Sequence, residues 1–245
     1  MSLNGSSDGP PTKAGTWICD DLAGLHGAIG ALPALRHHAE TGEGQHLDVS
    51  LLDSVLFQSD GFPTLAAMGY PLTRLGSEVG QAVPVNSFAC RDGHLYLAII
   101  LDAHWAILCN LMQRPELATA AGFRTVVERV NNRTVVNGVV AGWCATQTRD
   151  DAIAAIAAAG LTVARINTYA DAVADPHIAE REALQPTTLE DGSVAPLVAP
   201  PAKFSRTPTR VRFAAAALGA HTQQVLGELG DTIDQIATLH EANAL

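Results

Sequence analysis

Apolar and polar positions in this chain switch between two periods, and the switches mark its elements. From Trp17 onward Leu22, Leu25, Ile29, Leu32 and Leu35 recur at helical spacing, with Asp20 or Asp21 standing where an N-cap belongs. Pro33 inside this run predicts a kink. Thr41-Gly42-Glu43-Gly44 predicts the stop, since glycine supplies the left-handed conformation of a helix C-terminus. Residues 45–51 alternate (Leu47, Val49, Leu51) and read as a strand, and residues 52–68 return to helical spacing.

Residues 69–84 carry Gly69, Pro71, Gly76, Gly80 and Pro84 with no apolar period, the pattern of a long loop. Beyond them, two strand-like runs at 85–90 and 94–100 flank Arg91-Asp92-Gly93, a hairpin signal. Three or four helices follow. Asp102 is placed to cap one of them, and Thr125 with Glu128 and Thr148 with Asp151 have capping-box spacing. Gly160 ends an alanine-rich helix before a β-branched strand at 161–166, and Asp191-Gly192 marks a second hairpin. Pro200, Pro201 and Pro208 make 198–208 an extended linker, and two short helices split by Gly230 close the chain. His221 and Thr222 precede the first of these helices, where capping is the first expectation.

Composition narrows the function classes. Hydrophobic residues reach 47% and charged residues 16% of the 245, which excludes a disordered chain. Lys+Arg number 15 against 25 Asp+Glu, a balance of −10 with no basic run, so neither nucleic acid nor an anionic membrane surface is an expected partner. No apolar stretch approaches the ~20 residues of a membrane span, and no signal-peptide pattern opens the chain. Cys19, Cys90, Cys109 and Cys144 are scattered without a CxxC pair, which points to reduced thiols in the cytoplasm and away from a zinc site. The nine histidines show no HExxH spacing, so no metal is expected. Of the residues that could carry chemistry, an aspartate at the start of a helix is most often a cap. The same position keeps a carboxylate ionised and available as nucleophile or base. His26, one turn and a half beyond Asp20, could face either the core or a site.

A longer pattern adds to this reading. Asp20-Asp21-Leu22-Ala23-Gly24-Leu25-His26-Gly27-Ala28-Ile29-Gly30, then Ala34-Leu35-Arg36, then Thr41-Gly42-Glu43-Gly44-Gln45-His46-Leu47-Asp48-Val49-Ser50-Leu51-Leu52-Asp53 resembles the signature of the class III CoA-transferases. This is the superfamily of formyl-CoA transferase, carnitine CoA-transferase and α-methylacyl-CoA racemase. Asp102-x-x-Trp105, Arg129-x-x-Asn132-Arg133, Asp175-Pro176-His177 and Leu218-Gly219-Ala220-His221-Thr222 continue the match.

The resemblance implies an α/β fold: a partial Rossmann-like CoA-transferase domain with a smaller α+β domain. On that reading residues 1–16 are a flexible leader and 17–75 a partial large domain. Residues 76–200 form the small domain with its linkers, and 201–245 a tail returning to the large domain. The family's nucleophile is the aspartate four residues before the glycine, here Asp20 before Gly24, with Asp21 as the structural cap. It attacks an acyl-CoA thioester to give a mixed anhydride, so coenzyme A enters as substrate, and a carboxylic acid is the second substrate. A glycine loop covers the family site; its counterpart is 75–81, with Gly76, Gly80 and Gln81 as the substrate-loop residues. Most CoA-binding residues fall in a family segment ahead of Asp20. The chain therefore corresponds to roughly the C-terminal part of a family protein: a fragment, a subunit completed by another polypeptide, or a degenerate gene product. The partner the resemblance implies is a second copy, as in the interlocked homodimers of the family, or a complementing polypeptide. Racemisation of an acyl-CoA and a non-catalytic subunit are the alternative readings.

Overall fold

The first helix, α1 (Ile18–Thr41), begins two residues ahead of the aspartates. The Asp21 amide donates to the Trp17 carbonyl at 3.0 Å, so Trp17 takes the N-cap position and no side chain caps it. Neither Asp20 nor Asp21 is therefore a cap, contrary to the sequence expectation. Both lie in the first turn, where the positive end of the helix dipole favours a carboxylate. The helix runs through Pro33 and stops at Gly42, whose φ of 78° is the left-handed conformation that glycine adopts without a Cβ penalty.

The packing of α1 differs from its pattern. The expected core stripe points outward: Leu25, Ile29, Leu32 and Leu35 are 60%, 62%, 69% and 64% exposed. The half-buried side is instead built of small residues, among them Ala23, Gly27, Gly30, Ala31 and Ala34. They win this side because they let neighbours approach: a Cβ on Gly30 would stand 2.9 Å from the Leu47 side chain. A helix apolar on both faces belongs between two layers. The described residues supply one.

The chain next crosses 45–50 without strand pairing, which corrects the strand expected there. Period-two alternation needs a hydrogen-bonded neighbour to become a strand, and the described residues place none beside it. The helical stretch after it is broken in two. α2 (Leu51–Phe57) is capped by the Ser50 hydroxyl, α3 (Phe62–Ala67) follows, and Asp60 and Gly61 turn the corner at φ 47° and 77°.

Two antiparallel ladders carry the rest. β1 (Val85–Cys90) and β2 (Gly93–Ala98) form the expected hairpin at Asp92-Gly93, with Val85 opposite Ala98. Leu95, Leu97 and Ile99 alternate into a fully buried face. They meet Trp105 and Leu108 of α4 (Asp102–Leu111), Val136 and Val140 of α6 (Arg133–Cys144), and Ile156 of α7 (Arg149–Ala158). Between α4 and α6 lies α5 (Val126–Asn131), capped by Thr125. The Glu128 carboxylate turns to the Gly122 and Arg124 amides, so only half of that capping box forms. Thr148 caps α7, and after Gly160 β3 (Thr162–Arg165) joins β2 antiparallel.

The computed structural model describes residues 1–242 and 244, in two units, Met1–Ile166 and Asn167–Leu245. The second unit holds α8 (Tyr169–Val173), α9 (Pro176–Glu180), the hairpin of β4 (Leu184–Thr188) and β5 (Val194–Val198), then α10 (Thr222–Leu229) and α11 (Ile233–Glu241). His221 occupies the N-cap position of α10, but its side chain makes no capping bond, which corrects the expected role. No described helix is long and apolar enough to cross a membrane.

Arg129 is the one charged side chain with no solvent exposure among the described residues. Its Nε donates to the Val83 carbonyl at 2.8 Å, and its Nη1 to Phe123 at 3.1 Å and Arg124 at 3.3 Å. Asp102, which the sequence placed as a cap, sits in the first turn of α4 and pairs with Arg129 at 3.0 Å. The Trp105 ring lies 5.4 Å beneath the guanidinium.

Replacing Arg129 with alanine strands the buried Val83 carbonyl, removes the partner of the half-buried Phe123 and opens a cavity beside Trp105. It is expected to cost about 3–5 kcal/mol, read as a fall in the urea midpoint followed by tryptophan fluorescence. Burial also pushes the Cys109 thiol up to about 11 and Cys144 up to about 12. At about pH 8 fewer than roughly one in a hundred of either is thiolate. Iodoacetamide should leave both unlabelled in the folded chain and modify them once urea is added.

Candidate active site

Because α1 starts at Ile18, Asp20 is its third residue, and its carboxylate is exposed. Among the described residues it makes no hydrogen bond and no ion pair, so its oxygens are free acceptors. The side chain lines a cleft of about 620 Å³, a size suited to a small-molecule substrate. Three pieces of chain wall it. The first turn of α1 gives Trp17, Cys19 and Leu22; the α2–α3 corner gives Val55, Gln58 and Phe62; the leader gives Met1, Asn4 and Lys13. The corner is held in place by Ser59, whose hydroxyl bonds the Val55 carbonyl and whose carbonyl accepts from Phe62 at 2.9 Å. Asp21 is exposed but does not line the cleft. Of the two neighbouring carboxylates, only Asp20 faces it.

Lys13 is the one cationic side chain among the described residues lining the cleft. The Lys13 ammonium lies 3.9 Å from the centroid of the Trp17 ring, within range of the attraction between a cation and an aromatic face. Nothing in the local sequence singled out Lys13, which sits in the segment read as a leader. The signal that could have found it is the pairing of a lone lysine with an aromatic four residues on, just ahead of the helix.

His26 faces away from this cleft. It meets Phe57 edge-on at 5.4 Å, and its Nε2 is shielded with no partner among the described residues. With Asp48, Ser50 and Asp53 it lines a separate cavity of about 250 Å³.

The substrate-loop residues are split. The Gly76 amide donates to the Gly5 carbonyl at 3.0 Å, so this end of the loop touches the leader that walls the cleft. Arg74 fixes the leader further: Nη2 bonds the Gly9 carbonyl at 2.6 Å and Nε the Ser6 carbonyl at 3.2 Å. Gly80 is held elsewhere, its carbonyl accepting from Arg133 at 3.1 Å. None of Gly76, Gly80 and Gln81 lines the cleft or bonds Asp20 among the described residues. Nor do those residues contain a cluster of histidine, cysteine and carboxylate side chains placed to hold a metal. The arrangement is that of a free carboxylate in a helix-terminal field, open to an electrophile entering from solvent.

Comparison with known proteins supplies a context. The sequence profile of CoA-transferase family III matches residues 1–222. The chain is 32% identical over 235 residues to the succinyl-CoA:mesaconate CoA-transferase of Haloarcula hispanica, covering 94% of this chain and 58% of that protein. It is 34% identical over 243 residues to the succinyl-CoA–L-malate CoA-transferase beta subunit of Chloroflexus aurantiacus, covering 96% and 60%. Among solved structures, a CAIB/BAIF family protein from Brucella suis superposes with a TM-score of 0.78 at 28% identity, over 94% of this chain and 60% of that one. The chain thus spans about three fifths of the length of these relatives.

Proposed function

The chain belongs to CoA-transferase family III, and from that membership we propose that it carries the nucleophile of an acyl-CoA:carboxylate CoA-transferase, Asp20. The observation that supports this most is the free carboxylate of Asp20 in its cleft, at the motif position where the family resemblance places the attacking group. An Asp20 oxygen adds to the thioester carbonyl, the carbon–sulfur bond breaks, and the CoA thiolate leaves with its electron pair. The product is a mixed anhydride. The acceptor carboxylate then replaces the donor acid at the aspartyl carbonyl, and the thiolate takes up the new acyl group, restoring Asp20. No water enters the balance, so the site must be closed to water while the anhydride exists.

Two of the relatives named above are described as acting on succinyl-CoA, and their other named substrates, mesaconate and L-malate, are dicarboxylates. We take succinyl-CoA as the donor class and a dicarboxylate as the acceptor for this chain also. Lys13 on the cleft rim is a cation suited to the second carboxylate of such substrates. The part of the family proteins that this chain does not match would supply most of the CoA contacts. The outward stripe Leu25, Ile29, Leu32 and Leu35 is the surface it would cover. The setting is cytoplasmic.

Hydroxylamine added after succinyl-CoA should yield a hydroxamate on Asp20. Asp20→Asn should yield none while helix content by circular dichroism stays unchanged, because the native side chain bonds nothing. A hydroxamate on Asp21 contradicts the assignment. The chain alone should also self-associate in light scattering, and Ile29→Glu with Leu32→Lys should return it to a monomer. A wild-type chain that is monomeric at all concentrations contradicts the uncovered-face reading.

A further inference from the structure

One side chain from α6 governs the path of the glycine loop. Arg133 reaches back across the sequence to three consecutive loop residues. Its Nη1 bonds the Glu78 carboxylate and, at 3.0 Å, the Val79 carbonyl, while its Nη2 bonds the Gly80 carbonyl at 3.1 Å. Tyr96 on β2 adds a fourth point, its hydroxyl donating to the Ser77 carbonyl at 3.3 Å. Within 75–81 the chain makes only one backbone bond of its own, from the Glu78 amide to Leu75 at 3.1 Å. A segment with Gly76 and Gly80 has much conformational freedom to lose, and little of its own to hold it.

We propose that Arg133 is the positioning residue of this loop: its forked guanidinium fixes 77–80 and thereby sets where Gln81 and the two glycines stand. This rests on the proposed transfer reaction only for its catalytic consequence, since the latch itself is geometric. The Arg133 and Glu78 side chains are each only 22% exposed, so the pair is largely sheltered from solvent. The geometry demands arginine. Three acceptors on two nitrogens suit a planar fork, whereas an ammonium is a single point charge on a flexible stem. Glu78 balances the guanidinium charge, and the two backbone carbonyls set direction. In the transferase, a loosened loop admits water to the anhydride. The expected effect is a higher ratio of free acid to transferred product, with little change in KM for the acyl-CoA donor.

Hydrogen–deuterium exchange on the full chain, read by mass spectrometry, tests the latch without reference to activity. Arg133→Ala and Arg133→Lys should both speed exchange of the two hydrogen-bonded amides within 76–82, Gly76 and Glu78, by about 10-fold, with peptides from 85–98 unchanged. Glu78→Gln should give a smaller increase. Unchanged exchange at 76–82 in both arginine variants overturns the proposal, and so does an equal rise at 85–98, which would make Arg133 a general stability residue. If the loop loosens as expected but the assembled wild-type enzyme transfers no CoA, the latch stands and the proposed function fails. If transfer is present but both variants keep the wild-type ratio of hydrolysis to transfer, the positioning role fails.

Discussion

A guanidinium shut off from water must find acceptors for its N–H groups or lose several kcal/mol of hydration. Arg129 finds them for Nε and Nη1, one in the distant loop before β1 and two in the turn ahead of its own helix, while Nη2 has none among the described residues. Its bond to Val83 fixes the point where the glycine loop enters β1, and its bonds to Phe123 and Arg124 fix the turn ahead of α5. Through Asp102 it also ties the first turn of α4 to both. The sheet core of Leu95, Leu97 and Ile99 would be apolar without Arg129, but these loops would have no common anchor. Four residues on, Arg133 extends the same anchoring to 78–80. The loop is thus held from the helical layer of the small sheet and has little structure of its own.

The cleft has a different origin. It depends on where α1 begins, and Trp17 decides that by accepting from the Asp21 amide. A start one residue later would turn Asp20 by about 100° around the axis relative to the first turn. The face of α1 that packs is made of small residues, which allows Leu47 to close on Gly30 and His26 to close on Phe57. The opposite face keeps its leucines and isoleucine exposed. One helix therefore carries both a free carboxylate at its start and an uncovered apolar side along its length.

Much of this was legible in the sequence where the cause is local. The hairpins at Asp92-Gly93 and Asp191-Gly192, the stops at Gly42, Gly160 and Gly230, and the caps at Thr125 and Thr148 each depend on a few adjacent residues. What depended on distant partners was not legible. The pattern of α1 could not say which of two apolar faces would be covered, and residues 45–51 alternated without a neighbour to pair with. The roles of Arg129 and Arg133 involve carbonyls 46 and 54 residues away. Asp20 stood out only through resemblance to a family, since an acidic residue at a helix start is ordinary. Its exposure in the cleft, with Asp21 outside it, is the structural reason for choosing between the two.

The central claim is that Asp20 itself becomes acylated, and oxygen bookkeeping tests it most directly. In an anhydride route the acceptor leaves one of its own carboxylate oxygens on the aspartate when the thiolate removes the acyl group. With succinyl-CoA and ¹⁸O-labelled succinate, the assembled enzyme should place ¹⁸O in the peptide containing Asp20, located on that residue by fragmentation. Turnover that leaves Asp20 unlabelled, or places the label on another carboxylate, contradicts the account.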